Sequence, residues 1–180
     1  MPKSEKKMYG LLAEFDTTQA IYRACETVRD EGYTRWDSYT PFPVHGLDKA
    51  MGLKASKVPW ISLVCGLSGA SLGMYLQYWV AAIAYPLTIS GKPFFSFQAF
   101  VPVTFELGIL MGGLGTAFGM FFLNRLPHYY HPVFNSERFA AVTDDKFFIA
   151  IEADDPKYDK RDTKKLLSKL GATHVEELED

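Results

Sequence analysis

Hydrophobic and polar positions alternate with three different rhythms along the chain. Residues 8–15 (MYGLLAEF) form an apolar run rich in strand formers that stops at Asp16-Thr17-Thr18, side chains suited to capping a helix N-terminus. From Gln19 the apolar residues Ala20, Ile21, Ala24, Cys25 and Val28 recur at helical spacing, and Gly32 stands where a helix closes. Residues 33–40 (YTRWDSYT) alternate aromatic or small residues with polar ones and end at Pro41, which predicts a second strand. The same order returns at the far end. Residues 146–152 (KFFIAIE) predict a strand, broken at Asp154-Asp155-Pro156. A helix is expected from Asp162 or Thr163 to Leu170, closed by Gly171, and residues 173–178 alternate as a last strand. Each βαβ half is too small to bury a core alone, so the expected fold is α+β, a ferredoxin-like split βαβ sandwich built from both halves.

Between the halves the polar rhythm disappears. Residues 58–91 contain no Asp, Glu, Lys or Arg, and residues 93–124 carry only Glu106. About 20 apolar residues cross a bilayer as a helix, so this stretch holds two spans, expected near 60–85 and 100–123. The predicted organisation is an N-terminal half at 1–50, a transmembrane hairpin at 58–125 inserted between the second and third strands, and an interfacial segment with the C-terminal half at 126–180. The first span carries Gly66, Gly69, Ala70 and Gly73, and the second Gly108, Gly112, Gly113, Gly115 and Gly119. Small residues four apart let helix backbones approach closely, so Gly66, Gly69, Gly73, Gly108, Gly112, Gly115 and Gly119 are the expected packing and partner-docking positions. Aromatic residues prefer headgroup depth, which makes Trp60, Tyr129 and Tyr130 the expected interfacial anchors.

Basic residues near the spans set an orientation. Lys49, Lys54, Lys57 and Arg125 lie on the side of the polar halves, against Lys92 alone in the loop between spans, which places both termini in the cytoplasm. The opening MPKSEKKMYG is polar and has no apolar segment of a cleavable signal, so the first span is expected to act as its own membrane signal.

A net charge of −2 without a clustered basic face argues against nucleic acid as a partner. Cys25 and Cys65, one in a polar half and one in a span, are expected to be free and buried. Covalent haem c needs C-x-x-C-H and iron–sulfur clusters need about four cysteines, and the chain offers neither. His45, His128, His131 and His174 all lie outside the apolar stretches, so no haem b is expected. Asp16-Thr17-Thr18-Gln19 replaces the paired-cysteine loop that a soft-metal version of the fold requires. The chain also lacks a nucleophile motif, a phosphate loop and a dinucleotide fingerprint, which argues against an enzyme by itself.

Three groups invite a chemical reading. His128-Tyr129-Tyr130-His131, between Pro127 and Pro132, reads as an interfacial anchor in preference to a metal pair. Glu152, Asp154, Asp155 and Asp159, followed by Lys157, Lys160, Arg161, Lys164 and Lys165, read as a salt-bridged surface in preference to a cation site. Glu106 is the one ionisable residue well inside a span, and is either a proton-path or helix-pairing carboxylate or a residue close to the outer headgroups.

The sequence resembles the ActD subunit of bacterial alternative complex III. The residues that carry the resemblance are the run 8–15 with Ala20 and the helix to Gly32-Tyr33, residues 37–47 (DSYTPFPVHGL), the two spans, residues 126–134 (LPHYYHPVF), and residues 145–152 (DKFFIAIE) leading to Gly171-Ala172. It covers about residues 8–179. The resemblance implies a bacterial inner-membrane assembly that passes electrons from menaquinol to a periplasmic carrier or an adjoining oxidase. Haems c and iron–sulfur clusters would then belong to partner subunits, and quinol binding and proton routes to large multi-span ones. This chain would contribute two helices and a cytoplasmic domain, with no catalytic, cofactor-binding or metal residue of its own. The alternative is a free-standing two-span sensor whose ferredoxin-like domain binds a small ligand.

Overall fold

The computed structural model describes residues 8–180; the polar opening MPKSEKK lies outside the described residues. In chain order the elements are β1 (Met8–Phe15), α1 (Thr18–Asp30), β2 (Trp36–Tyr39), α2 (Leu47–Met51), α3 (Val58–Tyr78) continued by a π-helical turn (Trp79–Ala84), α4 (Phe97–Leu123), two 3₁₀ turns (Pro132–Asn135 and Arg138–Thr143), β3 (Phe147–Glu152), α5 (Lys160–Lys169) and β4 (His174–Glu179). They fall into two units. One joins the residues up to Lys54 with Tyr129–Asp180, and the other is Ala55–His128.

In the first unit the four strands form one antiparallel sheet in the order β2-β3-β1-β4. The central strand β1 thus pairs on both edges with strands from beyond the apolar stretch, Leu12 facing Ala150 of β3 and Glu176 of β4. Alternate side chains point to opposite faces. Leu11, Ala13, Phe15, Ile149 and Ile151 pack with Ile21, Ala24, Cys25 and Val28 of α1 and Leu167 of α5. Leu12, Phe148, Ala150 and Leu178 point the other way and are covered by Val133 and Phe139 from the two 3₁₀ turns. Because both faces are buried, β1 and β3 are continuous apolar runs without polar alternation. Residues 126–180 were expected as an interfacial segment with the C-terminal half; from Tyr129 on they belong to this unit, and the two 3₁₀ turns among them close its second face.

In this unit two boundaries and one element differ from the sequence reading. The second strand is only Trp36–Tyr39, because the N–H groups of Thr34 and Arg35 point at the Asp155 carboxylate, each 2.6 Å from Oδ2. Helix α5 starts earlier than expected, its N-cap being Asp159, whose Oδ1 accepts from the N–H groups of Arg161 and Asp162 at 2.9 Å. Thr163, an expected start, is fully buried and hydrogen-bonds the Tyr33 hydroxyl at 3.0 Å. The short α2 was not anticipated. It stands between Gly46 and Gly52, both left-handed at φ +80° and +72°, and the Arg29 guanidinium donates to its Lys49 and Ala50 carbonyls.

In the second unit α3 with its π turn (Val58–Ala84) and α4 (Phe97–Leu123) are each 27 residues long and apolar enough to cross a membrane. Large apolar side chains such as Leu63, Leu67, Phe105, Ile109 and Phe118 lie exposed on the pair. Helix α4 begins a turn before the expected position, with Pro102 inside it. Glu106 therefore sits in the third turn of a formed helix, beyond a helical segment where a loop was the alternative.

Candidate functional site

The two apolar helices meet through their glycines. A methyl group placed on Gly69 would collide with the Leu107 carbonyl and come within 2.7 Å of Met111 Cβ; on Gly73 it would come within 3.1 Å of Thr104 Cα. On Gly115 it would meet Cys65 Sγ at 2.6 Å, and on Gly119 it would meet Ile61 Cγ2 at 3.0 Å. Gly66, Gly108 and Gly112 are looser, their nearest neighbours across the seam standing 3.4 to 3.6 Å from such a methyl. All seven expected packing glycines thus face the other helix of the same hairpin. Gly113 is the exception, with open space around it.

Polar groups inside the hairpin are satisfied locally. The Gln77 side-chain amide donates to the carbonyls of Gly73 and Phe100 at 3.0 Å and lies 3.3 Å from Thr104 Oγ1, tying α3 to α4 near Pro102. Ser68 and Thr116 donate back to Val64 and Gly112 carbonyls within their own helices. Glu106 differs. Its side chain is exposed on the surface of the pair and makes no hydrogen bond or ion pair with any described residue. Trp60 is 70 % exposed at the start of α3.

In the sheet unit a second polar group collects beside β1. The Tyr9 hydroxyl donates to Glu152 Oε1 at 3.3 Å and lies 3.2 Å from His131 Nε2. The Val133 N–H points at His131 Nδ1 at 3.4 Å, which leaves Nε2 as the ring's donor toward Tyr9. Tyr9 and Tyr39 both meet the His131 ring edge-on. Burial and the nearby Glu152 carboxylate push the Tyr9 phenol up to about 12, so it stays a donor at neutral pH. With Arg35, Trp36 and Asp37 these residues line a hollow of about 310 Å³. His131 caps the first 3₁₀ turn and packs on the sheet against Tyr9 and Tyr39. The signal that could have separated it from its neighbours is Pro132, a residue that starts such turns. Tyr129 is 94 % exposed, and Tyr130 is half-exposed with its hydroxyl 2.7 Å from Asn135 Nδ2.

The acidic stretch 152–159 is not one surface. Asp155 is only 5 % exposed and accepts four hydrogen bonds, from the Thr34, Arg35 and Lys157 N–H groups and the Thr34 hydroxyl. Asp159 caps α5, and Asp154 makes the expected kind of surface contact, 3.9 Å from Arg35 Nη1. Among the described residues no three His, Cys, Asp or Glu side chains are arranged to hold a metal ion. Cys25 is buried and Cys65 half-buried, and both are free thiols.

Comparison with curated proteins finds no match. Comparison with protein families finds one, the ActD subunit of alternative complex III, over residues 9–177. That range reaches all four strands and takes in both apolar helices and the turns that cover the sheet, so the match spans nearly the whole chain. The chain belongs to the ActD subunit family of alternative complex III.

Proposed function

We propose that this chain is a cofactor-free structural subunit of an alternative complex III, crossing the inner membrane twice and holding a cytoplasmic ferredoxin-like domain built from its two ends. The observation that carries the reading is the strand order. β1 and β2 precede the apolar helices and β3 and β4 follow them, yet β1 and β3 are neighbours in one sheet. A sheet threaded in this way requires an even number of membrane crossings between its halves, and the two 27-residue helices supply two. The order β2-β3-β1-β4, with a helix after β1 and another after β3, supports reading the domain as a split-βαβ arrangement. On this reading residues 58–125 are the membrane hairpin, and 1–50 with 126–180 form the cytoplasmic domain. Lys49, Lys54, Lys57 and Arg125 against Lys92 support the cytoplasmic assignment of both termini.

The chain then docks on multi-span, quinol-binding subunits and on the cytochrome c and iron–sulfur subunits, which carry the redox centres that oxidise menaquinol. Its own part is mechanical: it adds two helices to the membrane mass and a rigid cap on the cytoplasmic side. Affinity purification through a C-terminal tag in mild detergent tests this. The expected result is co-purification with haem-containing and iron–sulfur polypeptides, while the chain expressed alone is colourless. A chain that leaves native membranes alone or only as a homodimer would instead fit a free-standing sensor and overturn the proposal.

A further inference from the structure

Resting on the reading just given, we infer that the outward face of α4 around Glu106 is a docking surface for a transmembrane helix of another subunit, one that presents a basic side chain to the Glu106 carboxylate. The inward side of α4 is defined by its contacts with α3 at Thr104, Leu107, Met111 and Gly115. At about 100° per residue Glu106 points away from that side, and Gly113 and Ala117, seven and eleven residues further on, share its direction. All three are exposed, and Gly113 has nothing within 4 Å of where a methyl would be. The hairpin therefore has a second close-approach surface, next to a carboxylate and unused by α3.

Depth makes the carboxylate informative. A 27-residue helix is about 40 Å long against a hydrocarbon core of about 30 Å, so a centred α4 extends about 5 Å beyond each edge. Glu106 lies nine residues from Phe97, about 14 Å along the axis, and so about 9 Å inside the core. That is beyond the reach of its short side chain, and an exposed carboxylate facing lipid at such a depth is strongly disfavoured. Gln77 of α3 is already engaged, its amide bonding Gly73, Phe100 and Thr104. A second copy of the chain has no Lys or Arg to offer at this level, because residues 58–91 and 93–124 contain none. The cation must come from a different subunit, and Gly113 and Ala117 let its helix come close enough to exclude lipid.

The test uses the assembled complex in native membranes. Glu106→Leu, Glu106→Gln and Gly113→Leu are compared with Phe118→Leu, an exposed position on another side of α4, for membrane level and for retention with the partner subunits in mild detergent. All four variants are expected at wild-type membrane levels. Retention is expected to fall at least tenfold for Glu106→Leu and Gly113→Leu, about threefold for Glu106→Gln, and not at all for Phe118→Leu. A photo-cross-linking residue at Ala117 is expected to attach to another subunit. Retention of Glu106→Leu equal to that of Phe118→Leu, or cross-links only to lipid or to a second copy, would overturn the inference while leaving the subunit reading intact. Failure of the wild-type chain to co-purify would overturn both.

Discussion

A single carboxylate organises the junction between the two halves of the sheet unit. Asp155 is removed from water, which by itself would raise its pKa, but the N–H groups of Arg35, Lys157 and Thr34 and the Thr34 hydroxyl outweigh burial and hold it below the usual carboxylate range. The folded value is thus lower than the unfolded value of about 3.9, so the stabilisation is complete above that pH and is lost as pH falls through the folded value. Replacing Asp155 with Ala removes the charged acceptor that the Thr34, Arg35 and Lys157 N–H groups share, at a cost of about 1–3 kcal/mol. Thermal unfolding of the detergent-solubilised chain, followed by the circular dichroism of the sheet, should show that loss at pH 7 together with a weaker dependence on acid below about pH 4. Cys25 is inert for a related reason: burial pushes its thiol up to about 12, so little thiolate forms. Gly10 is constrained by contact, since a methyl there would collide with the Ile151 carbonyl of the neighbouring strand.

Among the elements, the hairpin seam separates glycines that must be glycine from glycines that tolerate a methyl. At Gly69 the obstacle is the Leu107 backbone, which cannot rotate away, whereas at Gly112 the nearest atom is Gly66 Cα at 3.5 Å, an ordinary contact. Gly69→Ala should therefore weaken α3–α4 packing by about 1–3 kcal/mol, with Gly112→Ala within error of wild type and Gly112→Leu as damaging as Gly69→Ala. Cross-linking between cysteines placed on the facing helices, measured as a function of detergent denaturant, distinguishes these outcomes. The turns that cover the second sheet face are the other element-level device. Phe139 meets Tyr39, Phe134 and Phe148 edge-on, so aromatic contacts take the place of a regular helix there.

At the scale of the molecule the interleaved sheet constrains the path of the chain. With β1 between β3 and β4, the segments on either side of the hairpin cannot be separated by a membrane. A cysteine at Ser90, in the loop between the helices, should react with an impermeant maleimide in intact spheroplasts, and one at Glu179 in β4 only after permeabilisation. Reaction of both from the same side would contradict two crossings.

The sequence alone determined the elements whose signals are local. Apolar runs marked β1 and β3, the 3.6-residue period marked α1, and a long apolar stretch carrying only Lys92 and Glu106 marked two membrane-length helices, because each pattern records the surroundings of its own residues. Nothing local said that both faces of the sheet would be covered, or by what. What only the tertiary structure decided were pairings between distant residues. Asp155 looked like surface charge because Thr34 and Arg35, some 120 positions earlier, are invisible to its neighbourhood. The contact of His131 with Tyr9, some 120 positions earlier, is likewise invisible to its neighbourhood. The glycines announced close packing in composition, but whether they faced each other or another chain depended on the register of α3 against α4, which is set by backbone contact and leaves no trace in either helix taken by itself.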